Sequence, residues 1–303
     1  MDSTLVRLVP NSNNYHRDPR RYFVVLIFVY LSFNQCLIWL TFSPIARSAQ
    51  IYYHIDEFTV DLLLNWGPII FLPCLPLTYI LLNKSHGLQR SVRLLAVADL
   101  VAASIRLIPL IITKPTDENF GRISLIFLHL GQIINAACGP LVMAPVSHLS
   151  CLWFPPEERT RATTIAIFAG NFGSTVGFLI SPWIVSSPES IPHLLYVHLA
   201  LTFLACILAL FFFPSYPRSP PSAAAELLLN NFNNQQSRTS LSHVWSDLKI
   251  CFTHRSFLLI AGAGGLLSGT FSIWTSLFDE ILKEEHFTEQ QAGTSIENEL
   301  TVS

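Results

Sequence analysis

Charge is scarce in this sequence. Its 18 Lys and Arg and 20 Asp and Glu make up 13% of 303 residues, about half of the ~25% found in an average soluble domain. With 51% of residues hydrophobic and 12% aromatic, that shortage excludes an ordinary soluble globule. A basic surplus is missing too. The formal charge of -2 leaves nothing with which to hold a polyanion, so no nucleic acid is expected as a partner. The six cysteines, at 36, 74, 138, 151, 206 and 251, form no C-x-x-C pair, which argues against a disulfide framework and a zinc site. They read as small packing residues. No H-x-x-x-H ligand set, nucleophile elbow, phosphate loop or pair of catalytic carboxylates is present, so no enzyme, metal or cofactor is expected.

What is abundant is long apolar runs, and the mean hydropathy is +0.45. A membrane helix needs ~20 mostly apolar residues to cross ~30 Å of hydrocarbon. Seven windows qualify: 22–46, 62–82, 94–112, 123–154, 162–187, 191–213 and 256–278. Only the third contains Asp, Glu, Lys or Arg. Barrel-type alternation is absent, so the fold class is all-α integral membrane. Placing the N-terminus in the cytosol puts thirteen Lys and Arg on inner segments and four on outer ones, with Arg106 inside the third span; this fits the positive-inside rule. On that topology residues 1–21, 83–93, 155–161 and 214–255 face the cytosol, and the sequon Asn83-Lys84-Ser85 stays unglycosylated.

The windows divide the chain. Residues 1–21 form a polar tail with no signal-peptide cleavage site, and 22–213 hold six spans. Residues 214–240, rich in Pro, Ser, Ala, Asn and Gln, read as a disordered linker. Within 214–255, Leu241, Val244, Trp245, Leu248 and Phe252 recur at helical steps and predict a short interfacial helix over 241–252. Residues 256–278 are a seventh span, and 279–303 are a polar, acidic tail.

Ionisable groups in hydrocarbon cost several kcal/mol unless paired or wetted. Asp99 and Arg106 sit two turns apart on one face of span three, too far apart to touch. Two readings stand: relay groups facing a common cavity, or Asp99 paired with Arg93 near the cytosolic end while Arg106 snorkels outward. Amides and aromatics form a second set, with Asn34, Gln35 and Trp39 in span one, Asn65 and Trp66 in span two, Gln132 and Asn135 in span four, and Asn171 in span five. Singly each serves as interhelical glue; together they suggest a polar cavity. His129, His193 and His198 are candidate proton carriers or satisfied structural residues. Depth along the helices predicts that Trp39, Asn135 and Asn171, with Gln132 and His129 behind them, converge near the midplane. Gly173-x-x-x-Gly177 and Gly265-x-x-x-Gly269 offer small faces for packing. Pro68, Pro73 and Pro76 are expected to interrupt span two, and Pro140 and Pro145 span four.

The loop Trp153-Phe-Pro-Pro-Glu157-Glu158-Arg159-Thr-Arg161-Ala-Thr resembles the "PxERxxA" loop between helices four and five of the major facilitator superfamily. Six spans, a long linker and a seventh span match the N-terminal half of that fold. Gly139-Pro-Leu-Val-Met-Ala, Leu152-Trp-Phe-Pro-Pro-Glu-Glu-Arg-Thr and Gly177-Phe-Leu-Ile-Ser-Pro resemble solute carrier family 49. Its disrupted in renal carcinoma protein 2 branch is matched further at Trp66-Gly-Pro-Ile-Ile-Phe-Leu-Pro-Cys, at 39–49 and at Ser-Pro-Pro-Ser-Ala-Ala-Ala.

The resemblance implies a carrier of small organic solutes working by alternating access, the family being associated with choline-like cations, haem and, in this branch, pyridoxine moved with protons. It implies that Trp39 lines the cavity and that Glu157, Glu158, Arg159 and Arg161 belong to a gating loop. Asn171 falls at the helix-five amide position, where choline-transporting relatives carry glutamine. Two departures are visible. The loop 82–90 lacks the Asp of the superfamily's "G-x-L-x-D-R-x-G-R-R" motif, and residues 1–21 lack the Leu-Leu pair of a lysosomal address. An endolysosomal or plasma membrane location follows from kinship. Seven spans against a full twelve imply, as the alternative, a truncated, non-transporting chain that at most associates with a second membrane chain.

Overall fold

The computed structural model describes residues 15–234 and 241–283. The side chains of 231–234, 241–244, 247 and 271–283 lie outside this description, and with them Leu241, Val244 and the acidic tail expected after 278. Among the described residues six helical stretches are long and apolar enough to cross a membrane: Arg20–Tyr53, Glu57–Leu82, Gly87–Ile112, Phe120–Trp153, Pro156–Ile184 and Pro188–Phe212. They coincide with the first six windows, extended at their polar ends. The largest extension lies beyond window one, where α1 (Arg20–Trp39) breaks at Leu40–Phe42, passes a 3₁₀ turn at Ser43–Ile45 and resumes as α2 (Ala46–Tyr53). The residues between the first two windows, 47–61, are therefore mostly helix.

Local chemistry sets the boundaries. His54, in the left-handed region at φ 53°, ends α2. Asp56 then caps α3 (Glu57–Leu82) by accepting the Thr59 N–H at 3.1 Å. Left-handed His86 precedes α4 (Gly87–Ile112). Span four falls into three pieces, α5 (Phe120–Ala137), α6 (Gly139–Met143) and α7 (Pro145–Trp153), as Pro140 and Pro145 predict. Proline fits at the first turn of a new helix because that N–H has no intrahelical acceptor. Span two does not behave the same way. Helix α3 runs unbroken through Pro68, Pro73 and Pro76; at Pro68 a side chain of a neighbouring helix takes up the freed carbonyl.

Helix α8 (Pro156–Ile184) lies along α1, and its glycines permit the approach. A Cβ on Gly173 would stand 2.3 Å from the Phe33 carbonyl oxygen, and one on Gly177 would stand 3.3 Å from a Leu37 methyl. Gly262, Gly264, Gly265 and Gly269, on α12 (Arg255–Lys283), meet nothing within 4 Å. That helix contains the seventh window.

The core has two apolar halves. Toward the end where the first span begins, here called the inner end after the expected topology, Val24, Phe28, Leu31, Val92, Leu95, Leu149, Trp153 and Phe213 pack together. Toward the outer ends, Phe42, Ile45, Tyr53, Leu63, Leu107, Phe120, Leu128 and Leu195 do the same. Span six, α9 (Ile191–Ile207) with a π-turn at Leu208–Phe212, contributes to both.

The segment after Phe213 is ordered where composition predicts disorder. Its carbonyl accepts Gln89 Nε2 at 2.8 Å, and Tyr216 accepts the His86 N–H at 2.7 Å. Asp18 accepts the Arg218 N–H at 3.0 Å. Helix α10 (Ala223–Asn234) follows, with Tyr15 donating to Glu226 at 3.1 Å and Ala225 fully buried. Alanine and leucine are strong helix formers, and Ser222 accepts the Ala225 N–H at 3.3 Å, so a composition typical of linkers also encodes a capped helix. The interfacial helix expected over 241–252 is α11 (Leu241–Thr253), with Trp245, Leu248 and Phe252 exposed.

Candidate functional site

Between the two apolar halves lies a polar layer, built where the helices break or carry proline. The break after Trp39 deprives the last carbonyls of α1 of intrahelical partners. Arg106, 1% exposed, takes up one of them: its Nη1 donates to the Ile38 carbonyl and to Thr41 Oγ1, each at 3.2 Å. Gln132 takes up the next, donating Nε2 to the Trp39 carbonyl at 3.2 Å and to the Leu63 carbonyl at 3.2 Å. Its Oε1 accepts Arg106 Nη2. Glycine at 131 makes room, because a Cβ there would sit 2.8 Å from Arg106 Cγ.

Pro68 explains the posture of Trp39. Having no N–H, it leaves the Leu64 carbonyl four residues earlier without its helical donor. The Trp39 indole supplies one, Nε1 to Leu64 O at 3.1 Å, and lies against Gly67, where a Cβ would stand 2.6 Å from Nε1. Pro68→Ala returns a backbone donor to Leu64 and should displace the indole. In 5-fluorotryptophan-labelled protein, the ¹⁹F resonance assigned by Trp39→Phe is expected to shift while the other five hold. An unmoved Trp39 resonance would refute this coupling.

One turn further inward, Asn135 is fully buried, donating Nδ2 to Asp99 Oδ1 at 3.2 Å and to the Gln35 carbonyl at 3.4 Å. Gln35 returns Nε2 to the Asn135 carbonyl at 3.4 Å. Asp99 is 1% exposed, and no N–H or O–H donor among the described residues reaches its Oδ2; the Cys138 thiol, a weak donor, is a hydrogen-bond partner of this carboxyl. Both charges are thus deep, which corrects the reading of Asp99 paired with Arg93 and Arg106 snorkelling outward. The neutral amides of span four reach groups that are too far apart to pair with each other.

The remaining candidates divide. His129, half-buried, accepts the Trp66 indole N–H on Nδ1 at 2.8 Å, which places the proton of a neutral ring on Nε2. His198 is buried with Nδ1 3.5 Å from Thr41 Oγ1, whereas His193 is exposed. Asn171 does not join the others. It is exposed on α8, one position round from the Gly170, Gly173 and Gly177 face that meets α1, so the expected convergence of Trp39, Asn135 and Asn171 is not formed here. Thr41, Gly67, Pro68 and Gly131 were not singled out from sequence as members of this layer; only Pro68 carried a readable signal, in its four-residue spacing from Leu64.

At the end where the first span begins, Glu158 forms ion pairs with Arg21 at 3.1 Å and Arg17 at 3.3 Å. Arg159 donates to the carbonyls of Phe154 at 3.2 Å and Cys151 at 3.4 Å, capping α7, and to Ser222 Oγ at 2.6 Å. Glu157 and Arg161 are exposed; Glu157, with Tyr15 and Arg17, lines a cleft of about 370 Å³. Two of the four loop residues therefore tie the loop to the N-terminal tail and the linker.

The family model of the Major Facilitator Superfamily matches residues 18–296. A solute carrier family 49 member 4 homolog of Xenopus laevis is 33% identical over 291 residues, covering 90% of this chain and 59% of the relative. The uncharacterized MFS-type transporter C09D4.1 of Caenorhabditis elegans is 30% identical over 278 residues, 87% of this chain and 43% of the relative. The human choline/ethanolamine transporter FLVCR2 is 24% identical over 272 residues, 87% and 48% respectively. The chain spans about half the length of the curated relatives it matches. With an all-helical architecture, six apolar spans and a match across nearly its whole length, the chain belongs to the Major Facilitator Superfamily, and the relatives it resembles include members of solute carrier family 49.

Proposed function

We propose that these residues form the first six-helix half, with a seventh span, of a solute carrier that moves a small organic solute by alternating access, the N-terminus facing the cytosol of an endolysosomal or plasma membrane. The observation that carries this reading is the polar layer itself. A structural core has no need of Trp39, Gln35, Asp99, Arg106, Gln132 and Asn135 on two adjacent levels of one layer, whereas a midplane solute site does. Trp39, half-buried against Gly67, offers a ring face to a cation or a flat ring. A relative's name specifies choline and ethanolamine, which suits that face. Asp99 is assigned the proton-carrying role, because one oxygen has no N–H or O–H donor and no ion pair joins it to a cation among the described residues. Asn171, exposed, would meet solute from span five. The open glycines of α12 favour a further membrane segment packed there, from a second half or a second chain.

The test is uptake into proteoliposomes by a twelve-span fusion of this chain with the second half of a curated relative. Trp39→Ala is expected to lower uptake of choline or pyridoxine about tenfold or more, since a desolvated cation–ring contact contributes ~2 kcal/mol. Asp99→Asn is expected to abolish the response to a proton gradient. Unchanged transport in both variants overturns the site. The 303 residues reconstituted alone should accumulate no solute, because alternating access needs two halves moving about one site.

A further inference from the structure

We propose that Ser219 is a phosphorylation site whose phosphoryl group occupies an arginine-lined cleft at the inner end of the bundle. The inference rests on the proposed topology, which places this face in the cytosol.

The cleft, about 220 Å³, is lined by Arg17, Asp18, Pro19, Arg20, Arg218 and Ser219. Three arginines and a single aspartate line it. Arg20 is committed to Asp18 through Nη2–Oδ2 at 2.8 Å and Nε–Oδ2 at 3.1 Å, and it holds that carboxyl well below the usual carboxylate range. Arg17 is shared with Glu158 in an ion pair at 3.3 Å, and its side chain is 60% exposed. Exposed pairs of this kind are weak and exchange readily. The Arg218 guanidinium, exposed, takes no partner among the described residues. A phosphoserine carries about -1.5 to -2 charges and three strong acceptor oxygens, which matches the surplus the cleft presents.

Sequence and conformation make Ser219 the acceptor. Four serines precede proline: Ser43, Ser181, Ser187 and Ser219. A serine followed by proline is the substrate pattern of proline-directed protein kinases. Ser43 and Ser181 are buried inside spans. Ser187 is exposed at the opposite end of the bundle, which the proposed topology places outside the cytosol. Ser219 is half-buried, and its hydroxyl donates only to the His16 carbonyl, at 3.3 Å. In the transfer, the Ser219 oxygen attacks the γ-phosphorus of ATP, a new O–P bond forms, and the bridging P–O bond breaks to release ADP. The kinase's base takes the hydroxyl proton. Once in place, the phosphoryl group bridges Arg218 on the strap to Arg17 on the N-terminal tail, drawing Arg17 from Glu158. The strap 213–234, which already touches the tail, the span two–three loop and Arg159, becomes locked down.

The experiment has two arms. Phosphopeptide mapping of the full chain from cells is expected to find phosphate on Ser219 and none on Ser187. The reverse would overturn the topology, since the two serines lie at opposite ends of the bundle. Cysteines placed at Ser85 and Ala224 and labelled by an impermeant maleimide decide that topology separately. In the second arm, purified full chain in micelles is phosphorylated by a proline-directed kinase with ATP, with Ser219→Ala as the site control. Amide hydrogen exchange across 213–222 is expected to slow about tenfold, the factor that one hydrogen bond to a charged group supplies. Arg17→Gln combined with Arg218→Gln should erase the slowing. With the topology intact, no phosphate on Ser219, or exchange that is unchanged or faster once it is phosphorylated, overturns the proposal.

Discussion

Gln132→Leu is expected to lower the stability of the six-span unit by about 3 kcal/mol, more than removal of the charge it serves. Interhelical hydrogen bonds in membranes average only ~0.6 kcal/mol. Losing the two carbonyls of Trp39 and Leu63 therefore accounts for about 1 kcal/mol. The remaining ~2 kcal/mol comes from Arg106, left buried with one acceptor fewer; Ile38 and Thr41 still hold it, so the loss stays below the roughly 3 to 5 kcal/mol of a buried charge stripped of its partner. Gln132→Leu with Arg106→Met removes donor and acceptor together and should cost less than Gln132→Leu alone, a coupling of about 1.5 kcal/mol. Unfolding the four chains of this cycle by titrating SDS into mixed micelles measures it. A double variant less stable than either single one would show that Arg106 is not held through Gln132.

Gly173→Val should prevent folding, and Gly173→Ala should already cost about 3 kcal/mol, at the upper end for overpacking. The obstacle is backbone: a Cβ there would meet the Phe33 oxygen at 2.3 Å, Cα at 2.9 Å and carbonyl carbon at 3.0 Å, and no rotamer change relieves that. Gly177→Ala meets a leucine methyl at 3.3 Å, which can turn aside, so its cost should stay below about 1 kcal/mol. Gly269→Ala has the opposite sign, since nothing lies within 4 Å and alanine favours a helix by about 1 kcal/mol. Thermal unfolding of the three variants gives the order, and equal effects at 173 and 269 would refute the packing.

The spans were legible because hydropathy over ~20 residues reports transfer to lipid, and the third dimension hardly enters. The glycine face of α8 and the breaks at Pro140 and Pro145 were legible for similarly local reasons. Pro68 was legible in part: its spacing from Leu64 marks the freed carbonyl, while the indole that reaches it comes from another helix. The reach of Arg106 escaped because snorkelling and inward burial use the same side chain, and only the break after Trp39 decides between them. The strap at 213–234 was hidden by composition: Pro, Ser and Ala describe a linker equally well until Gln89, Asp18 and Arg159 are placed beneath it. Asn171 illustrates the converse, since depth along a helix predicted its level and left its azimuth open.

The burial of Asp99 and Arg106 also constrains how the chain enters a bilayer. Each such residue at a helix centre adds about 2.5 to 3.5 kcal/mol to insertion, and each Leu, Ile or Val returns about 0.3 to 0.6. Eleven of those apolar residues stand between 94 and 112, giving back about 3 to 7 kcal/mol against 5 to 7. Span three alone is therefore poised near the threshold of partitioning. Arg106 finds Ile38 and Thr41 on span one, already synthesised, and Gln132 on span four, where Asn135 also meets Asp99. Span three is therefore expected to enter lipid with span one beside it and span four close behind, the three partitioning as one unit.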